Sequence, residues 1–239
     1  MQEPRPAGSL RRVRPDEELL AELGQLEPVN PSTGPEDLAR RAAEDRIVYV
    51  LDLDHRPATA LWVALTAGVP DRLADVLDPG VPVLDPAAAD TAVFHSVWNV
   101  PGGPTVRDGA RRTIELAIDD VRREHPGVTT ATTLSPVPGL RAWLADRGVA
   151  EAPEAAELAE LAATYLRSLD GDSPVDPVAR FHLRNGARLW RILCDADTST
   201  TGLERSFGVM VNYRYVPEDR DANRASLRAG VVPDWTGTT

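Results

Sequence analysis

Between residues 91 and 134 the chain spells a strand, a glycine break, a long amphipathic helix and a second strand, an order that points to an α/β centre. Thr91-Ala92-Val93-Phe94-His95-Ser96-Val97-Trp98 is apolar and β-branched and reads as a central strand. Gly102-Gly103-Pro104 breaks it. A helix is expected over residues 107–124, with Ile114, Leu116, Ala117, Ile118 and Val121 on one face. Residues 127–134 are short and Thr/Val-rich, hence a strand, which Ser135-Pro136-Val137-Pro138-Gly139 stops. Upstream, residues 47–51 and 59–65 read as two strands joined by a hairpin across 52–57. Residues 16–26 and 36–45 read as short helices, and the Pro-, Arg- and Gly-rich residues 1–15 as mobile. Downstream come helices over 140–147, 152–169 and 177–184, strands over 189–194 and 208–215, and a polar, partly ordered tail from Pro217. The expected fold class is α/β (α+β) with a mixed sheet and flanking helices.

Composition narrows the function classes. A net charge of −11 disfavours a nucleic-acid partner, because phosphate neutralisation needs a basic face. All 26 basic residues are Arg, so Lys Schiff-base chemistry is excluded and any phosphate would be held by Arg forks or backbone amides. The single Cys194 rules out an internal disulfide and a thiolate-rich metal site, and no His/Asp/Glu spacing suggests a metal centre. Neither a signal peptide nor an apolar run of membrane-spanning length is present, so a cytoplasmic protein without membrane attachment is expected.

Three local features carry chemistry. The loop before the long helix offers helix-terminal amides to an anion, with Arg107, Arg111 and Arg112 nearby, although Gly-Gly-Pro there equally makes a plain turn. Ser135 lies where two prolines stiffen the turn after a strand; a Ser followed by Pro equally starts a helix. His182 sits between Phe181 and Leu183 on a short helix that Asn185-Gly186 ends, in a setting that also suits a buried structural imidazole. Among the other histidines, His95 is expected to pack on the central strand, and His55 and His125 to face solvent.

These residues resemble the catalytic domain of malonyl-CoA decarboxylases, divergent members of the GNAT acetyltransferase superfamily. The family's Leu-Ser-Pro-Ile-Pro-Gly-Phe motif reads here Leu134-Ser135-Pro136-Val137-Pro138-Gly139-Leu140. Its Asn/Asp-Pro-Val-Ala-x-Phe-His-Leu-x-Asn-Gly-Ala motif reads Asp176 to Ala187, and its Gly-Leu-Met-x-Asn-Tyr-x-Tyr strand reads Gly208 to Tyr215. Leu61-Trp62-Val63-Ala64-Leu65-Thr66 resembles another of its strands. Phe181 to Gly186 is also similar to the Phe-Tyr-x-x-x-Gly of many acetyltransferases, with His in place of Tyr.

The resemblance implies a GNAT-like sheet with a splayed central pair, 93–98 and 129–134. It places a catalytic domain over residues 46–216, after a short helical extension at 1–45 left from an assembly domain and before a tail at 217–239. It implies decarboxylation of malonyl- or methylmalonyl-CoA, or of a carrier-protein thioester, through an enolate stabilised by Ser135 and His182. A neutral-to-cationic imidazole would act near pH 7, with Tyr215 and Asp108 as secondary catalytic candidates. Val97, Gly103, Thr105, Val106, Arg107 and Leu134 would bind the CoA arm and pyrophosphate. No cofactor beyond the thioester substrate is implied, and a homodimer is compatible. Acyl transfer to an amine or hydroxyl is the alternative activity, and a non-catalytic CoA- or partner-binding module a third reading. The chain departs from the family in its loop, Trp98 to Val106, and in Leu193-Cys194, where the family has Asn-Trp.

Overall fold

Buried β-branched runs and one tight turn build the first half. The computed structural model describes residues 8–234, and these divide into two units. The first comprises described residues 8–69 and 76–131, the second 70–75 and 132–234.

In the first unit, β1 (Ser9–Arg12) is followed by α1 (Glu18–Leu26), α2 (Pro35–Arg41), β2 (Arg46–Leu53) and β3 (Arg56–Thr66). After α3 (Ala74–Leu77), a single turn, come β4 (Thr91–Asn99) and α4 (Gly109–Glu124). The strands lie in the order β1-β2-β3-β4, each antiparallel to its neighbour. Asp54 and His55 both take left-handed φ, 52° and 60°, the conformation that two-residue hairpin turns need to match strand twist. Ile114, Ala117, Ile118 and Val121 of α4 are buried, and α4 packs across β2, β3 and β4.

Val48, Val50, Ala60, Trp62 and Trp98 belong to one buried cluster with Leu20 and Leu23 of α1. Trp62 and Trp98 stack with centroids 6.3 Å apart. The expectation of mobility through residue 15 is corrected for Ser9–Arg12, while residues 1–7 lie outside the described residues. Arg11 bonds Asp52 at 2.7 Å and Arg12 bonds Asp120 at 2.6 Å, and these ties hold the edge strand that composition alone concealed.

A buried charge network lies within the same unit. Arg40 bonds Asp45 at 2.6 and 2.9 Å, and Arg41 joins Asp37 at 2.7 Å to Glu27 at 2.6 Å. Desolvation still pushes the Glu27 carboxyl up. Beside this network β4 bulges: Trp62 faces Ser96 and Val63 faces Phe94, leaving His95 as the extra residue. Burial first, then Arg41 and Arg46, hold its imidazole well below the usual histidine range.

β5 (Thr130–Thr133) leads into the second unit. There follow β6 (Ser135–Pro136), α5 (Leu140–Ala145), α6 (Ala155–Arg167), and the two-residue strands β7 (Leu169–Asp170) and β8 (Ser173–Pro174). Next come α7 (Pro177–Arg184), β9 (Arg188–Leu193), α8 (Thr200–Ser206), β10 (Met210–Tyr215) and α9 (Arg220–Arg228). β10 pairs antiparallel with β9 and with β6, where Val211 faces Ser135. Ser135 therefore does not merely end a strand, as its sequence suggests, but continues pairing beyond Leu134.

Residues 220–228, read as part of a partly ordered tail, form α9. This helix meets the open end of α7, with Asn223 Nδ2 donating to the Gly186 carbonyl at 2.9 Å and Arg224 to that of Asn185 at 3.2 Å. Residues 235–239 of that tail lie outside the described residues. Among the described residues no helix is long and apolar enough to cross a membrane.

His95 generates a test. The unfolded chain takes up its proton near pH 6.5, whereas the folded chain refuses it, so the stability tied to this residue is complete above that pH and lost as pH falls below it. Urea unfolding should show His95→Gln losing about 1.4 kcal/mol per pH unit less than the parent between pH 6 and pH 5. Parallel curves for the two proteins would refute the burial argument.

Candidate active site

The second unit brings three sequence-predicted residues together. α7 begins at Asp176, whose carboxylate accepts the amides of Val178 and Ala179 at 2.9 and 2.8 Å, with Pro177 in its first turn. It ends where Gly186 takes φ 85°. A Cβ at Gly186 would lie 2.5 Å from Arg220 Cγ, so the turn needs glycine for space as well. These local signals fix the helix ends and present His182 to β10.

His182 Nε2 lies 3.2 Å from Ser135 Oγ, and Nδ1 lies 2.8 Å from the Tyr215 hydroxyl. The Tyr213 ring stacks on the imidazole at 4.6 Å, and the Phe181 ring meets it edge-on at 4.9 Å. Ser135 and His182 are each 5% exposed.

Burial alone lowers the His182 imidazole to about 3. It is therefore neutral near pH 7, the uncharged end of the expected range. A neutral imidazole carries one N–H and one lone pair, and so serves Ser135 on one side and Tyr215 on the other.

Sequence reasoning missed two residues. Thr133 Oγ1 lies 2.9 Å from Ser135 Oγ and accepts the Tyr213 amide at 3.1 Å. Asn212 Nδ2 holds the Thr133 carbonyl at 2.6 Å. The strand period of two was the available signal, since it places Thr133 with Ser135 and Tyr213 with Tyr215. Leu134, between them, is buried at 1% exposure.

The turn after Ser135 is closed by packing. Gly139 sits beneath Tyr165, where an added Cβ would lie 2.1 Å from the tyrosine hydroxyl. Ser135 does not cap the next helix: the residue preceding α5 is Gly139.

The remaining predicted residues belong to the first unit. Asp108 precedes α4 with left-handed φ 54°, is exposed, and pairs with Arg111 at 3.1 Å. Within its own unit Asp108 thus marks the entry to α4. Val97 and Val106 are half-buried, while Thr105 and Arg107 are exposed. Gly103 donates its amide to the Val100 carbonyl at 3.0 Å, and a Cβ on it would lie 2.2 Å from the Pro57 carbonyl oxygen. Contact with β3 is reason enough for glycine at that position.

A mixed α/β arrangement with mostly antiparallel strands flanked by helices is a GNAT-like fold. The GNAT-like decarboxylase GphF, solved with isobutyryl-CoA, shares this fold: TM-score 0.55 at 22% identity, over 87% of this chain and 98% of that one.

The family model for the malonyl-CoA decarboxylase C-terminal domain matches residues 10–171 and 153–232. The mitochondrial malonyl-CoA decarboxylase of Anser anser anser is 27% identical over 261 residues, covering 87% of this chain and 52% of that protein. The solved malonyl-CoA decarboxylase of Agrobacterium vitis superposes with TM-score 0.81 at 30% identity, over 95% of this chain and 65% of that one. The chain belongs to the malonyl-CoA decarboxylase family, and spans about half the length of the vertebrate relatives it matches.

The Gly139 contact is directly testable. Gly139→Ala should cost about 1–3 kcal/mol through overpacking. Adding Tyr165→Phe, which removes the clashing oxygen, should recover part of that loss in urea unfolding. A single variant as stable as the parent would contradict the geometry.

Proposed function

We propose that this chain decarboxylates a malonyl-type thioester, malonyl- or methylmalonyl-CoA or the same acyl group on a carrier protein. The observation that carries the reading is the Ser135–His182 contact, formed by the two motifs that mark the family.

Breaking the bond between the carboxylate and the α-carbon releases CO2 and leaves its electron pair on that carbon. The pair delocalises into the thioester carbonyl as an enolate, so the chemistry calls for no metal or organic electron sink. A hydrogen-bond donor aimed at the developing oxyanion lowers the barrier most when it is fixed and desolvated beforehand. Ser135 is such a donor, held by Thr133 on one side and His182 on the other. A proton drawn from solvent and relayed through the Ser135 hydroxyl or an adjacent water then takes the place of the lost carboxylate on the α-carbon. This gives the acetyl or propionyl thioester and leaves Ser135 neutral. The buried neutral ring of His182 orients the hydroxyl and stays uncharged throughout.

Carboxylate loss needs no acceptor molecule, and this separates it from acyl transfer by the same cleft. Purified protein given malonyl-CoA should release CO2 and form acetyl-CoA without added amine. Ser135→Ala and His182→Gln should each lower kcat by ~10²–10³-fold. The kcat profile should show no inflection near pH 6.5 from His182, because its proton is lost far below that. Thiol release only in the presence of an amine or hydroxyl would establish acyl transfer instead, and parent-level turnover by Ser135→Ala would end the assignment.

A further inference from the structure

The hydrogens around Ser135 can be counted. Thr133 is fully buried, and among the described residues its hydroxyl has two partners, the Tyr213 amide at 3.1 Å and Ser135 Oγ at 2.9 Å. The amide is a donor and can only give, so it occupies one lone pair of Thr133 Oγ1. If Ser135 also donated to Thr133, the hydroxyl hydrogen of Thr133 would be left buried without an acceptor. Such a loss costs more than the bond gains. The arrangement that wastes nothing has Thr133 donating to Ser135 Oγ.

One direction then propagates along the whole chain of groups. Ser135 Oγ receives from Thr133, so its own hydrogen is free to point to His182 Nε2 at 3.2 Å. Nε2 must present a lone pair, which leaves the single ring hydrogen on Nδ1, 2.8 Å from the Tyr215 oxygen. We infer that Thr133 is a positioning residue whose hydroxyl orients the Ser135 hydrogen and sets His182 as the Nδ1–H tautomer donating to Tyr215.

This rests on, and deepens, the proposed role of Ser135. The Ser135 hydrogen that points to Nε2 at rest is the one the thioester oxygen competes for when substrate arrives. Thr133 never touches the reacting atoms. It keeps the serine oxygen supplied with one hydrogen bond, so that the serine's own hydrogen can swing without leaving the oxygen bare.

Two measurements decide it. Nitrogen-15 NMR of histidine-labelled protein, with His182 assigned by difference from His182→Gln, should show Nδ1 protonated and Nε2 bare at pH 7. A ring protonated on Nε2 would overturn the inference, and this result does not depend on any decarboxylase activity. Kinetically, Thr133→Val keeps the shape but removes the hydroxyl; it should lower kcat with malonyl-CoA about tenfold or more while KM stays near the parent value. Thr133→Ser, which restores the hydroxyl, should recover most of that loss. Parent-level kcat in Thr133→Val, or an equal defect in Thr133→Ser, would also overturn it. Should Thr133→Val fail to fold, the parent's tautomer and the Thr133→Ser rate decide the matter. A parent without decarboxylation would sink the proposed function, and the NMR result would still settle the direction of the relay.

Discussion

Strand β10 holds the second unit's chemistry in place. Its Tyr213 amide anchors Thr133, its Tyr213 ring supports the His182 imidazole, and its Tyr215 hydroxyl meets Nδ1. Val211 on the same strand pairs with Ser135. Residues 211, 213 and 215 are spaced by two and so share one side of a strand. Because ladder hydrogen bonds fix the backbone on both sides, these contacts are rigidly related. No flexible loop has to find its position before the hydroxyl and the imidazole meet.

The two buried histidines show how environment assigns different work to the same side chain. Both are neutral, and desolvation is the leading cause in each. His182 uses both ring nitrogens, one on a hydroxyl from each side. His95 sits in a strand bulge beside two arginines, and among the described residues its Nδ1 has no hydrogen-bond partner. One imidazole is built into a directional network. The other is a packed group whose main energetic signature is its refusal of a proton.

What the sequence made legible follows from how local each signal is. The bounds of α7 are readable because Asp176-Pro177 and Asn185-Gly186 encode its start and stop within a few residues. The hairpin between β2 and β3 and the face of α4 are readable for the same reason. β1 and α9 are not, since they persist through Asp52, Asp120 and the carbonyls of α7, all remote in the chain. At the site, Ser135, His182 and Tyr215 stood out through motifs. Thr133 looked like ordinary strand composition until the backbone placed it two residues from the serine on the same face. The charge of His182 was hidden as well, because it depends on burial from neighbours that no motif displays.

The seating of α9 on the end of α7 ties a segment remote in sequence to the helix that bears His182. Asn223 and Arg224 grip the turn that closes the very helix bearing the imidazole, only a few residues beyond it. Any change in how α9 is seated therefore bears first on the turn that follows the imidazole.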